Sequence, residues 1–408
     1  MNCLLLRTTC LVVLALNLFP HSLQSQCLES DGRLYGIDGT SCTNNIVSAV
    51  PFLRIVADAR SSALGDAGIA ISVDANAIHF NASKLAYTKG EMAIAANYTS
   101  WLPGFGARGI YLASLNGYKR IDEKQTLGFG FRYFTLGDLR LDNFRGMPLN
   151  TGTTREFSGS IAYARTIAKQ LSVGITAKLI YSNLVADLPT PARSPMPADL
   201  AGAVDISATY ETPFDLIPWQ SDLRVGLVLS NLGSKMYYTD DSINKDYLPA
   251  NFGLGAAWEI QFDKYNSLTL TAELNKLMVP TPCPSTASLS CDLNGNGRPD
   301  FKEQSPLEGA FNSFSDSPEG FNEEMREILY SIGIEYWYKL QFALRGGYYT
   351  EHSTKGGRRF FTAGIGYRYE IVEFNFSYLL PAIHLRNPID RTWRVSLLFD
   401  FPEKELHP

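Results

Sequence analysis

Beyond residue 20 the chain has no apolar run approaching the roughly 20 residues that a membrane-spanning helix needs. Charge is also scarce. Lys and Arg number 36 against 41 Asp and Glu, for a net charge of -5, which excludes a basic nucleic-acid surface. The 5 His residues are scattered, with His21 near the start and His407 in the tail. No His-Glu-x-x-His or Gly-x-Ser-x-Gly pattern occurs, so a protein without enzymatic activity is expected. Gly104-Phe-Gly106-Ala-Arg-Gly109 has dinucleotide-binding spacing but lies in no βαβ unit, and reads as a hairpin tip.

Aromatic residues and glycine are plentiful, with Tyr 21, Phe 23 and Gly 33, while the chain is only 45% hydrophobic. Alternating strands explain that mixture better than membrane helices do. In 251–262, Phe252, Leu254, Ala256, Trp258 and Ile260 alternate with Asn251, Gly253, Gly255, Glu259 and Gln261. After a turn at Asp263–Asn266, Leu268, Leu270, Ala272 and Leu274 alternate with Thr269, Thr271, Glu273 and Asn275, completing a β-hairpin.

Each strand has about the length at which a tilted strand crosses a bilayer, and the unit recurs. Fourteen strands are expected, at 91–101, 107–119, 126–137, 155–167, 171–184, 201–211, 222–232, 251–262, 267–278, 328–339, 341–351, 358–369, 371–380 and 392–401. Connections alternate between short (120–125, 168–170, 263–266, 340, 370) and long (138–154, 185–200, 233–250, 280–327), as in outer-membrane barrels with short periplasmic turns. The fold class is therefore all-β: a transmembrane antiparallel β-barrel of residues 91–401, with 280–327 as a long extracellular loop and 402–408 as a tail. Trp393, Val395, Leu397, Phe399 and Phe401 should face lipid, and Tyr98, Trp101, Tyr133, Tyr181, Tyr336, Tyr338 and Tyr369 should form girdles. Arg132, Arg165, Lys178, Glu259, Glu273, Glu335, Arg345, Arg368, Glu370, Glu373 and Arg394 should point into the lumen, because a lipid-facing charge costs about 2 to 4 kcal/mol.

Residues 1–26, with Arg7 and an apolar core from Leu11 to Phe19, read as a secretory signal peptide. Lipid on Cys27 is the weaker alternative, since the bulky Gln26 precedes it. Export leaves Cys27, Cys42, Cys283 and Cys291 in an oxidising compartment. Three pairings are possible, and the local bridges Cys27 to Cys42 and Cys283 to Cys291 are expected because each pair brackets a small-residue or Pro-rich loop. Residues 27–90 lack strand alternation and are rich in small residues, which suits an amino-terminal hatch in the periplasmic half of the barrel, with a surface-packed leader as the alternative.

Asp292-Leu-Asn294-Gly-Asn296-Gly297-Arg298-Pro299-Asp300-Phe-Lys-Glu303 matches the spacing of a twelve-residue calcium loop. The candidate ligands for a Ca²⁺ ion are Asp292, Asn294, Asn296, Arg298, Asp300 and Glu303. Pro282, Pro284 and Pro299 argue against a true EF-hand, leaving a calcium clasp or an unmetallated Asn-Gly turn.

The run Phe52-Leu-Arg-Ile-Val-Ala-Asp58-Ala-Arg60-Ser-Ser-Ala-Leu-Gly65-Asp66-Ala-Gly68, continued by Asp74-Ala-Asn76-Ala-Ile-His79-Phe80-Asn81-Ala-Ser-Lys84-Leu-Ala-Tyr87, resembles the hatch of FadL-like barrels. More narrowly it resembles the PorV family of the type IX secretion system, whose similar phrases match Trp101-Leu-Pro and Phe131-Arg-Tyr-Phe-Thr-Leu-Gly137-Asp. Ala82 stands where that family usually has Pro. The resemblance implies an outer-membrane protein that binds the carboxy-terminal signal domain of secreted cargo. It would pass cargo from the translocon to a surface attachment complex with a sortase-like partner. The long loops, with Pro189, Pro191, Pro195, Pro197, Phe311, Phe314 and Phe321, are the expected contact surfaces. The alternative is a FadL-type transporter of long-chain fatty acids or other hydrophobic small molecules, which calls for an apolar pocket.

Overall fold

The computed structural model describes residues 28–30, 33–35, 46–103, 109–142, 148–183, 198–214, 219–237, 245–282, 292, 294–296, 299–382, 389 and 391–402. Fourteen strands form one closed antiparallel ring. In chain order they are β1 Met92–Ser100, β2 Tyr111–Asp122, β3 Gln125–Thr135, β4 Arg155–Ala168 and β5 Leu171–Asn183. They continue as β6 Asp199–Pro213, β7 Gln220–Gly233, β8 Asn251–Gln261, β9 Ser267–Leu277 and β10 Ile328–Tyr338. The last four are β11 Phe342–Thr350, β12 Arg359–Tyr369, β13 Val372–Pro381 and β14 Trp393–Phe401. Each strand pairs with its neighbours in sequence, and β14 closes the ring on β1 through Val395 opposite Tyr98 and Leu397 opposite Ala96. Closure leaves no unpaired edge, which is what makes a sheet tolerable in hydrocarbon.

The side-chain period of two sorts residues between the two faces of the wall. In β9, Glu273 accepts hydrogen bonds from the Gly68 and Ile69 amides, which lie inside the ring, so Leu270 and Leu274 face out. In β14, Arg394 and Ser396 are buried inside while Trp393 and Leu397 are exposed, as the alternation predicts. Exposed Leu115, Ile161, Leu179, Ile332 and Leu344 continue such outward rows around the ring. An eleven-residue strand such as β8 rises about 26 Å along the axis at ordinary strand rise and barrel tilt, close to the height of an outer-membrane apolar band.

Two expectations are corrected. Arg165 follows inward-facing Ala162 and Ala164 and points outward, a few residues before the turn that joins β4 to β5. So near a strand end a charge has left the apolar depth. Trp101 is not a girdle residue: it packs against inner clusters containing Ala49, Val50 and Phe52 on one side and Tyr349 and Phe360 on the other.

The longest connection, between β9 and β10, carries three short helices: α3 Asp300–Glu303, α4 Pro306–Asn312 and α5 Phe321–Arg326. Other long connections hold small hairpins, Asp138–Asp142 with Pro148–Thr153, and Met236–Tyr237 with Lys245–Asp246. Ahead of β1 the chain forms short helical turns at Pro51–Arg54, Ala59–Ser62, Ala77–Phe80 and Ala82–Tyr87.

Candidate functional site

Residues 52–88 are bonded to inward side chains on strands distributed around the ring. The turn at Ala59–Ser62 is capped by Asp58, whose carboxylate accepts from the Ser61 amide at 2.8 Å. That cap sets the direction of Arg60. Its Nε donates to Glu335 Oε2 at 3.0 Å and its Nη2 to Oε1 at 2.8 Å, a two-pronged pair of the strong kind. Arg345 donates from Nε to the same Glu335 at 2.6 Å and from Nη1 to Asn375 at 2.6 Å. Glu335 is thus held between two guanidinium groups, with Asp74 3.2 Å from Arg60 on the other side.

Further bonds fix the segment elsewhere. Arg394 Nε donates to the Val56 carbonyl at 2.9 Å, and Ser396 accepts from the Ala59 amide at 2.8 Å. Arg132 donates to the Leu53 carbonyl at 3.0 Å and to that of Ile55. Asn97 and Asn116 both donate to Asn76 Oδ1, at 2.8 and 2.9 Å. Asn81 reaches Thr209, and the Ser83 amide reaches Ser207 at 3.0 Å. The Gly65 amide donates to Thr362 at 3.0 Å, where β11 comes so close that only a glycine, Gly347, fits: an added Cβ there would lie 2.0 Å from Gly65 N. Burial pushes the Asp58 carboxyl up to about 6 and the Lys84 ammonium down to about 8, and holds His79 well below its ordinary value. Lys84 is compensated by the Gly68 and Ile71 carbonyls, at 2.6 and 3.2 Å.

A cavity lies on each side of this segment. Toward the short-turn end, about 820 Å³ is lined by Arg60, Asp74, Lys84, Arg224, Glu259, Arg368 and Glu373. Toward the long loops, about 110 Å³ is lined by Arg54, Asp66, His79, Lys178, Glu273 and Arg358. Charged groups mix with apolar ones in both, such as Ile71, Val73, Trp337 and Leu340 in the larger and Leu53, Ile69 and Val228 in the smaller.

The other sequence-derived sites are only partly visible. Cys27, Cys42, Cys283 and Cys291 lie outside the described residues, as do residues 1–26, Pro189, Pro191, Pro195, Pro197 and Arg298. In the 292–303 loop the Asn294 and Asn296 amides donate to Glu303 at 2.8 and 2.6 Å, and Asp292 accepts from the Asn296 backbone at 3.0 Å. Asp300 opens α3, which ends at Glu303. Among the described residues no group of three or more His, Cys, Asp or Glu is arranged to hold a metal ion. Arg60 with Glu335, separated by 275 residues, had no local signal; neither residue type nor spacing links them before the ring is closed.

A closed fourteen-stranded ring with apolar rows outside and a charged, occupied interior defines a barrel of the outer-membrane type. The family described as type IX secretion system protein PorV matches residues 38–284, well over half of the chain, and the protein belongs to that family. No curated protein matches by sequence. Solved structures of similar shape include a deltaS2S3 mutant of the monoaromatic hydrocarbon channel TodX, with TM-score 0.49, 12% identity, and coverage of 84% of this chain and 99% of that one. The Pseudomonas putida toluene transporter TodX gives 0.44, 11%, 83% and 95%, and a Pseudomonas aeruginosa FadL homologue 0.41, 12%, 85% and 98%. Likenesses of this size do not bear on function.

Proposed function

We propose that this protein is the outer-membrane PorV-type component of a type IX secretion system. In this reading it binds the carboxy-terminal signal domain of secreted cargo and carries it from the translocon to a sortase-like attachment complex at the surface. The match of the PorV family over residues 38–284 carries the reading. Residues 46–90 act as a hatch, and the bonds from Arg60, Arg132, Asn76 and Glu273 are what hold it. The barrel then serves as a fixed support whose loop end meets protein partners. Transport of fatty acids or hydrocarbons calls for an apolar pocket, whereas the larger cavity mixes charged side chains with apolar ones such as Ile71, Trp337 and Leu340.

Deleting the gene and inventorying proteins at the cell surface tests this. Loss of surface-attached secreted proteins is expected, with gentle purification from membranes yielding translocon and cargo. Normal secretion with impaired uptake of a hydrophobic compound would sink the reading. The 292–303 loop is proposed as a calcium clasp on the spacing of its oxygen-bearing residues, a site in which Glu303 would exchange the Asn294 and Asn296 amide donors for the ion. Calorimetric titration should give heat that Asp292→Ala abolishes; identical flat traces would end that idea.

A further inference from the structure

At the loop end of β9 a charge stands on the outward face of the wall. Lys276 in β9 is three residues beyond inward Glu273, so it has outward parity, beside Phe252 of β8 and Ile328 of β10. It is nonetheless buried, at 6% exposure. Its ammonium meets Glu324 at 2.9 Å and Glu327, at the end of α5, and sits over the Phe314 ring. Lys355, in the β11–β12 connection, takes Glu323 and the other oxygen of Glu327. The acidic side of α5 is therefore bolted to the barrel.

Helix α4 packs against the same outer wall. Ala310 and Met278 cluster with Leu229 of β7 and Phe252 of β8, both outward residues, and Phe314 meets Phe252 edge to face at 5.9 Å between ring centres. Gly309 permits this seat, since a Cβ there would come 2.8 Å from Pro280. With these faces covered, Leu307, Phe311, Phe314, Phe321 and Met325 stay exposed, Phe321 at 76%. Elsewhere around the ring the loop ends of the strands carry an outward aromatic row, with Tyr98 against Trp393 and Tyr111, and Phe157 against Tyr181. At β9 the strand itself offers Lys276 instead.

We propose that α4 and α5 lie in the outer interface of the bilayer, with Leu307, Phe311, Phe314, Phe321 and Met325 against lipid acyl chains, completing the aromatic girdle above β8 to β10. Three observations select lipid as the occupant. The patch is continuous with outward Leu254, Leu274 and Tyr330, which any bilayer around this barrel must cover. From Phe262 at the short-turn end to Phe252 is a rise of about 26 Å, so Phe252 and the Phe314 against it stand at the upper edge of the apolar band. And the covering of Lys276 by two glutamates is what a cation at that depth requires.

The inference rests on the membrane-barrel reading above, and one experiment separates the two. The full-length protein is reconstituted in phospholipid vesicles whose acyl chains carry a diazirine, illuminated, digested and mapped by mass spectrometry. Adducts on the peptide spanning 306–326 are expected at a yield similar to those on belt peptides containing Leu274 or Ile332. Labelled belt peptides with an unlabelled 306–326 peptide overturn the inference alone, as does labelling of Phe321 and Met325 by a water-soluble carbene reagent instead. Absence of adducts from the belt as well overturns the barrel reading.

Discussion

Replacing Glu335 by alanine removes a buried carboxylate that accepts hydrogen bonds from both Arg60 and Arg345. The side chain is 1% exposed, and the substitution deletes three hydrogen bonds, of 2.8, 3.0 and 2.6 Å. Breaking a buried pair by taking away one partner costs about 3 to 5 kcal/mol, because the remaining charge stays buried. Neither arginine is wholly orphaned here: Arg60 keeps Ser72 and Asp74, and Arg345 keeps Asn375 and, at 3.8 Å, Glu373. The lower figure, about 3 kcal/mol, is therefore expected, which multiplies the population with a detached amino-terminal segment roughly 10²-fold. Planar-bilayer recordings of Glu335→Ala should show frequent open-channel events, and protease should cut within residues 46–90. Lys119→Ala, which breaks an exposed pair with Glu91, is the control. Glu335→Ala combined with Arg60→Ala should destabilise less than the two single changes summed, since each removes the other's penalty. A Glu335→Ala protein as closed, as protease-resistant and as heat-stable as the control would refute the view that this pair holds the segment.

Lys84 should make stability pH-dependent. Its folded pKa of about 8 lies below the ordinary 10.5, so between those values the unfolded chain binds more protons and stability rises with pH. The difference amounts to roughly 3 kcal/mol over that window; unfolding temperatures that climb in the parent and stay level in Lys84→Met would bear this out, and parallel curves would not. Gly347→Ala drives a Cβ to 2.0 Å from Gly65 N and 2.3 Å from Leu64 C, backbone atoms with no flexible end to yield. A loss of about 1 to 3 kcal/mol is expected from such overpacking, read as a lower unfolding temperature with faster cleavage of the segment; unchanged values would contradict the close approach.

The ring was legible in the sequence because a barrel wall imposes one rule on every residue: alternate between oil and a packed interior. Observed strand ends fall within a few residues of those expected, as at 251–262 against Asn251–Gln261. The rule fails where the wall ends. Arg165 lies near a turn, and Trp101 follows the last residue of β1, where the chain leaves the sheet, Leu102 takes a positive φ of 52° and the Trp101 ring packs on inner clusters. The helices of 300–326 fall in what the sequence offered only as a long loop; in the structure a capping box from Ser305 to Glu308 closes the first turn of α4. Their stability comes from elsewhere: helices this short do not hold alone, and Lys276 and Lys355 are remote in sequence from the acids they bind.

The amino-terminal segment and the helical connection solve the same physical problem on opposite faces of one sheet. Inside, the cations Arg60, Arg345 and Arg394 are satisfied by Glu335, by Asn375 and by carbonyls of the amino-terminal segment. Outside, Lys276 is satisfied by acids carried on a loop. At Arg394 inside and Lys276 outside, a charge on the wall is satisfied by a non-barrel segment seated on it, and the charge in turn fixes where that segment sits. The charged contacts therefore act as register marks for the two appended segments, while closure of the sheet itself rests on backbone pairing. Substitutions at Glu335 or Lys276 should loosen an appended segment and leave the ring intact, whereas insertion of one residue into β14 would reverse its inward and outward faces against β1 and disrupt closure.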